Sequence, residues 1–122
     1  MPTVKLTDIF QNPTLLADSL TRGTDEGKPA KISANKTAAL CSAEDPFYGT
    51  ILSIEPGNEV CVIKNHGIVT VLYTGTAPGL NFIELVGDGS GGVKTPTTPG
   101  TGKVYFILDV DTTNTLVTFD LG

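Results

Sequence analysis

The stretch Glu59–Gly75, EVCVIKNHGIVTVLYTG, decides the fold class of this chain. Val60 and Val62 alternate with Cys61 and Ile63, Asn65-His66-Gly67 interrupts, and Ile68–Tyr73 resumes a run of β-branched and aromatic residues. Residues of this kind fit a pleated, half-buried surface, so the stretch reads as two strands meeting at a turn or sharp bend. Both faces of the first arm are apolar, which predicts a central pair covered on each side.

The same rhythm extends in both directions. Towards the N-terminus, Tyr48–Ile54 reads as a strand that enters Glu55-Pro56-Gly57-Asn58, where Pro presets the first turn angle and Gly accepts a positive φ. Ala30–Ser33 and Ala38–Ser42 read as short strands around Ala34-Asn35-Lys36, and Glu44-Asp45-Pro46 punctuates after them. Towards the C-terminus, Thr74–Gly79 breaks the pattern, Asn81–Val86 is a strand, and Gly87–Gly92 is a flexible glycine-rich loop. Thr95–Gly102 reads as an exposed connection. Lys103–Val110 is a strongly hydrophobic strand, and Asp111–Asn114 turns into Thr115–Leu121, whose Val117, Phe119 and Leu121 share one face by the period of two. About six to eight short strands spaced by turn signals predict an all-β chain, a small antiparallel β-sandwich or barrel. No helical crossover is visible that would build a parallel sheet.

Residues 1–29 differ from this β-domain of residues 30–122 and read as an N-terminal arm. Asn12 suits a helix cap, Pro13 the first helical position and Gly23 a stop after Thr14–Arg22, with Leu15, Leu16 and Leu20 on one face. The competing reading is an extended arm, since Pro2, Pro13 and Pro29 break up the region and TRGTDEGKP is loop chemistry.

Composition narrows the function classes. With 122 residues the chain forms one domain and buries roughly two-thirds of its unfolded surface. Its net charge is −5, and the 8 basic residues are scattered rather than gathered into a stripe, which argues against nucleic-acid binding. No apolar run approaches the length of a membrane span, and MPTVKLTDIF lacks the plan of a secretory signal, so synthesis in a reducing cytosol is expected. Cys41 and Cys61 lie among strand residues and read as buried free thiols; a disulfide stays open if their strands are adjacent.

Reactive chemistry finds little support. His66, the one histidine, sits in an Asn-His-Gly turn, and neither a nucleophile nor an orienting acid can be placed beside it. Cys41, Cys61 and His66 fall short of the four ligands of a structural zinc site. Asp88 is the sole carboxylate of GDGSGG, too few for a calcium loop. Asp109, Asp111 and Asp120 read as a solvated rim. PGTGKV superficially resembles a phosphate loop, but Thr97 and Val104 stand where Gly and Ser or Thr are required, and the segment leads into a strand instead of a helix. No cofactor, metal or catalytic residue is expected.

Residues 30–122 resemble the small capsid decoration, or cement, proteins of tailed bacteriophages, in particular the β-rich group with a β-tulip or barrel plan. The likeness is carried by a polar N-terminal segment followed by YGTILSIEPGNEVCVIKNHGIVTVLYTG, then GKVYFILDV and TLVTFDL. It implies a non-enzymatic structural protein, a homotrimer on the outer capsid surface of the virion, bridging the major capsid protein without touching nucleic acid or membrane. It also implies an N-terminal segment that orders on the capsid, with Leu6, Ile9, Phe10, Leu15, Leu16 and Leu20 as the contact residues. The entropy of ordering such an arm, about 1–2 kcal/mol per residue for backbone, would be offset by leucines docked on the lattice and by many copies acting together. The alternative is a virion or surface binding module, for example a glycan-binding one; this is weakened because there is no Trp, and Tyr48, Tyr73 and Tyr105 all fall in strand patterns.

Overall fold

Alternation of inward and outward side chains arranges the chain into two β-structures, one after the other in sequence. The computed structural model describes residues 12–122. The first half holds β1 (Thr14–Ala17), β2 (Pro29–Ala34), β3 (Thr37–Leu40), β4 (Gly49–Ile54) and β5 (Val60–Lys64). They close into a barrel in the order β1-β3-β2-β4-β5, because β1 pairs with β3 on one side and β5 on the other. The second half holds β6 (Ile68–Leu72), β7 (Asn81–Gly87), β8 (Val93–Lys94), β9 (Lys103–Asp111) and β10 (Leu116–Asp120), in a sheet ordered β6-β10-β9-β7-β8. Just beyond β6, Tyr73 forms a parallel bridge to Val93, which draws the two edges of this second sheet together. The all-β expectation therefore holds, as a largely antiparallel barrel and sheet in which, among the described strands, β1 and β3 pair in parallel.

Each half has its own core. Ala38, Ile51, Ile54, Cys61 and Ile63 fill the first barrel, while Val69, Val71, Leu85, Ile107, Val117 and Phe119 form the core of the second sheet. The period of two read in the last strand is realised: Val117, Phe119 and Leu121 are all buried. What joins the halves is the β3–β4 connection. Its Phe47 leaves the first half and enters the second core, where its ring stacks on Tyr105 at 5.1 Å and 5° and meets Phe119 edge-on at 6.0 Å. The Tyr105 hydroxyl donates to the Phe47 carbonyl at 3.3 Å. Beside it the connection pairs with the end of β7: Glu44 N–H donates to Gly87 O at 3.0 Å, and Gly87 N–H to Asp45 O at 2.8 Å. A Cβ at Gly87 would lie 2.3 Å from the Cys41 Cβ, so only glycine permits this approach.

Three expectations need correction. Thr14–Arg22 contains no helix. Two turns of helix would be marginal in isolation, whereas an extended Thr14–Ala17 gains ladders on both sides and turns Leu15 and Ala17 towards the barrel core. The stretch 14–29 is for the same reason built into the barrel instead of hanging from it as an arm. Finally, the organising stretch is not a central pair. β5 belongs to the barrel and β6 is an outer strand of the second sheet, with alternate residues exposed. The Asn65-His66-Gly67 break carries the chain from one sheet to the other, with Gly67 at φ 84°. Among the described residues no helix is long and apolar enough to cross a membrane.

Two substitutions test this account. Val71→Asp places a carboxylate in the second core and is expected to abolish cooperative unfolding by circular dichroism. Phe47→Ala should cost about 3–5 kcal/mol in urea denaturation while the protein still melts in one transition. Two separate transitions in the native chain would show that the halves fold independently of the Phe47 plug.

Candidate functional site

The inward residues of β6, β7, β9 and β10 are spent on the core, so the outward residues of the same strands form the face on offer. Cross-strand register sets Ile68 beside Asp120, Asp120 beside Phe106, and Phe106 beside Phe82, a row across all four strands. Phe82 is 71% exposed and Phe106 38%, and their rings meet edge to face at 5.0 Å and 86°. Val104, Leu108 and Leu80 are exposed close by in sequence and register, as are Ile68 and Leu72 on the outer strand. Thr70 and Thr118 fill the next row and share a hydroxyl hydrogen bond at 2.8 Å. A register shift between Thr118 and Phe119 leaves Leu108 without an opposite residue, so that Leu108 and Asp109 are both exposed. The result is a firm apolar surface interrupted by carboxylates.

Polar side chains elsewhere serve the fold. Asp88 organises the glycine-rich loop: one carboxylate oxygen accepts the N–H groups of Ser90 and Gly92 at 2.6 and 3.0 Å, the other the Thr74 hydroxyl at 3.1 Å. The connection 95–102 is pinned by Glu84, which accepts from Gly100 and Gly102, and by Glu44, which accepts from Thr97 at 2.7 Å. Asp111 forms the Asp111–Asn114 turn. The His66 Nδ1 lies 2.9 Å from the Asn65 Oδ1, a contact within its own turn. Cys41 and Cys61 are free thiols. Burial pushes Cys41 up to about 12 and raises Cys61 as well, so both stay protonated and poorly nucleophilic. An open groove of about 300 Å³ separates Glu26–Lys28 from Thr70–Leu72. Its neighbouring acid, Asp25, is already taken by Lys28 at 2.8 Å and by the Thr21 N–H.

Neither a protein-family model nor a curated protein matches the chain. The candidate surface therefore stands on its geometry.

The contact residues expected from sequence are scattered by the fold. Leu20 is 2% exposed and Leu15 packs against the first core, so both are committed to the barrel; Leu16, at 54%, is the one of the three that faces outward. Leu6, Ile9 and Phe10 lie outside the described residues. The Phe82–Phe106 surface was not singled out by sequence, because NFIELV and KVYFILDV are apolar on both faces and alternation cannot say which side is covered. The available signal was Asp120, which alternation sets opposite Val117, Phe119 and Leu121; Asp109 shares the parity of the buried Tyr105 and Ile107 and is turned outward only by the register shift at Leu108.

Several carboxylates are held below their ordinary range, so acid is expected to destabilise the fold. The Lys31 ammonium, bonded at 2.7 Å, holds Asp45 below the ordinary 3.8. Burial works upward on Asp25, yet its bonds from Lys28 and the Thr21 N–H outweigh it and leave it lowered. Thr97 lowers Glu44 and Asn114 lowers Asp111. A carboxylate with a depressed folded-state pKa stabilises fully above its unfolded value and loses that contribution as pH falls through the folded one. The melting temperature is thus expected to hold from about pH 7 to 5 and to drop below about pH 4, and Asp45→Asn should flatten part of that fall. A melting temperature that rises on acidification would contradict the assignment.

Proposed function

We propose that this protein is a non-enzymatic capsid decoration protein, which binds the outer surface of a phage head and stabilises the lattice of its major capsid protein. The observation that carries this reading is the outward face of the second sheet, where an exposed aromatic pair and aliphatic neighbours sit on strands locked from behind by a packed core. Such a face suits a rigid contact whose geometry is set before binding, with little ordering entropy to offset. The order of strands and turns in Tyr48–Gly75, Lys103–Val110 and Thr115–Leu121 supports it through the resemblance to decoration proteins. The acidic balance suits the outside of a DNA-filled shell. In this reading the protein is made in the host cytoplasm, acts as a homotrimer, and uses Leu6, Ile9 and Phe10 of its first eleven residues as a further contact.

The glycan-binding alternative has less support. Tyr73 and Tyr105 are buried, Tyr48 is exposed but stands alone with its hydroxyl accepting from Asn65, and Phe82 and Phe106 present themselves to each other at a right angle instead of as a flat platform for a sugar ring.

Purified protein added to expanded heads that lack it is expected to bind stoichiometrically and raise their disruption temperature in scanning calorimetry. Removing Met1–Gln11, which precedes β1, is expected to weaken uptake. His66→Ala should bind like the native chain. Absence of uptake by heads, or clear hits on a glycan array, would overturn the proposal.

A further inference from the structure

The outward face of the second sheet carries charge of one sign. Asp109, Asp111, Asp120 and Glu84 all fall on it, and no outward position of β6, β7, β9 or β10 holds a lysine or arginine. Two basic residues of the first half reach its β6 margin, where the Lys64 ammonium donates to the Ile68 carbonyl at 2.8 Å and Lys28, held by Asp25 at 2.8 Å, lines the groove beside Thr70 and Leu72. Of the seven basic residues within 12–122, Arg22, Lys31 and Lys36 also belong to the first half, leaving two. Lys94 lies 3.6 Å from Glu44, and Lys103 turns its ammonium over the Tyr105 ring at 5.3 Å and donates to the Leu121 carbonyl. Glu84 is occupied by the Gly100 and Gly102 N–H groups of the connection 95–102 and Asp111 by those of its own turn, but Asp109 accepts no hydrogen bond among the described residues, and Asp120 takes only the Gly122 N–H. Two carboxylates with spare acceptor capacity thus stand among Phe82, Phe106, Leu108 and Ile68.

That combination selects an occupant. A wholly apolar partner would desolvate Asp109 and Asp120 without replacing their hydration. A second copy meeting through this same face would set like charges against each other. Nucleic acid and anionic lipid are repelled for the same reason. We propose that this face docks on a protein surface whose apolar centre is interspersed with lysine or arginine, the Phe82–Phe106 pair supplying the anchor and Asp109 and Asp120 the charge pairing. The proposal deepens the decoration reading and rests on it for the partner's identity, a capsid lattice.

The test uses the full chain and two soluble synthetic peptides, one alternating lysine with leucine and one alternating glutamate with leucine, followed by amide chemical shifts. The lysine peptide is expected to move amides of β6, β9 and β10 and to bind at least about tenfold more tightly than the glutamate peptide, with affinity falling at higher salt. Asp109→Asn with Asp120→Asn should weaken it about fivefold. Glu55→Gln with Glu59→Gln, the same charge change at exposed sites on the first half, should leave it unchanged. Equal binding of the two peptides, equal loss in both double variants, or shifts confined to the first half would overturn the proposal. So would a dimer in solution that Phe82→Ser dissolves. Expanded heads separate the two readings. Uptake of the native and Asp109→Asn, Asp120→Asn chains alike would remove this face from the contact and leave decoration standing. Peptide recognition at this face without uptake by heads would uphold the surface and remove decoration.

Discussion

The fold depends on an aromatic side chain, Phe47, that crosses from the first half into the second core. Without Phe47 the five-stranded barrel and the second sheet would be joined only by the short link Asn65-His66-Gly67, the pairing of Glu44 and Asp45 with Gly87, and the flank of Cys41 on the second core. With it, the aromatic cluster of the second core includes a residue from between β3 and β4, and Tyr105 uses its one polar atom to hold that residue's carbonyl. The surrounding contacts exist to deliver the ring. Asp45 accepts from Lys31 and from the Ser42 N–H, Glu44 and Asp45 pair with Gly87, and Gly87 has no side chain because Cys41 occupies the space. A buried aromatic contributes more here than an aliphatic plug would, since stacked and edge-on contacts add to its burial.

Rigidity behind the second sheet gives meaning to what lies in front of it. Exposed phenylalanines on a loose scaffold would collapse onto the protein or associate without selectivity. Held at fixed cross-strand spacing, Phe82 and Phe106 keep their exposure, and Asp109 and Asp120 discourage contact with any surface that lacks positive charge. The apolar and the acidic components work in opposite directions on affinity and in the same direction on selectivity.

The strand pattern was legible because its residues are strongly β-forming and its turns use Pro, Gly and Asn where positive φ or a preset angle is needed. Gly57 and Asn58 have φ of 97° and 60° in the turn read from EPGN. What failed were matters decided at a distance. Thr14–Ala17 carries helix-start chemistry in Asn12-Pro13, and only β3 and β5, themselves remote in sequence, make it a strand. Glu59–Gly75 announces two strands truthfully, but whether a three-residue break returns the chain on itself or passes it to another sheet is set by the partners each strand finds. β8 was missed because two residues carry no period. The candidate surface was legible only in part: its residues lie in recognised strands, and which face is covered depends on a second layer that local alternation does not reveal.

The closed first barrel and the bridged rims of the second sheet bear on life at high local concentration. A strand edge with free N–H and C=O groups is a template for any neighbouring chain, and identical chains crowded side by side are the neighbours most apt to use it. Here β1 seals the first barrel, the Tyr73–Val93 bridge brings the rims of the second sheet together, and the Lys64 ammonium occupies the Ile68 carbonyl at 2.8 Å. Copies of this protein standing shoulder to shoulder are therefore offered little free strand edge, and more of their contact is left to side chains that discriminate than to backbone that does not.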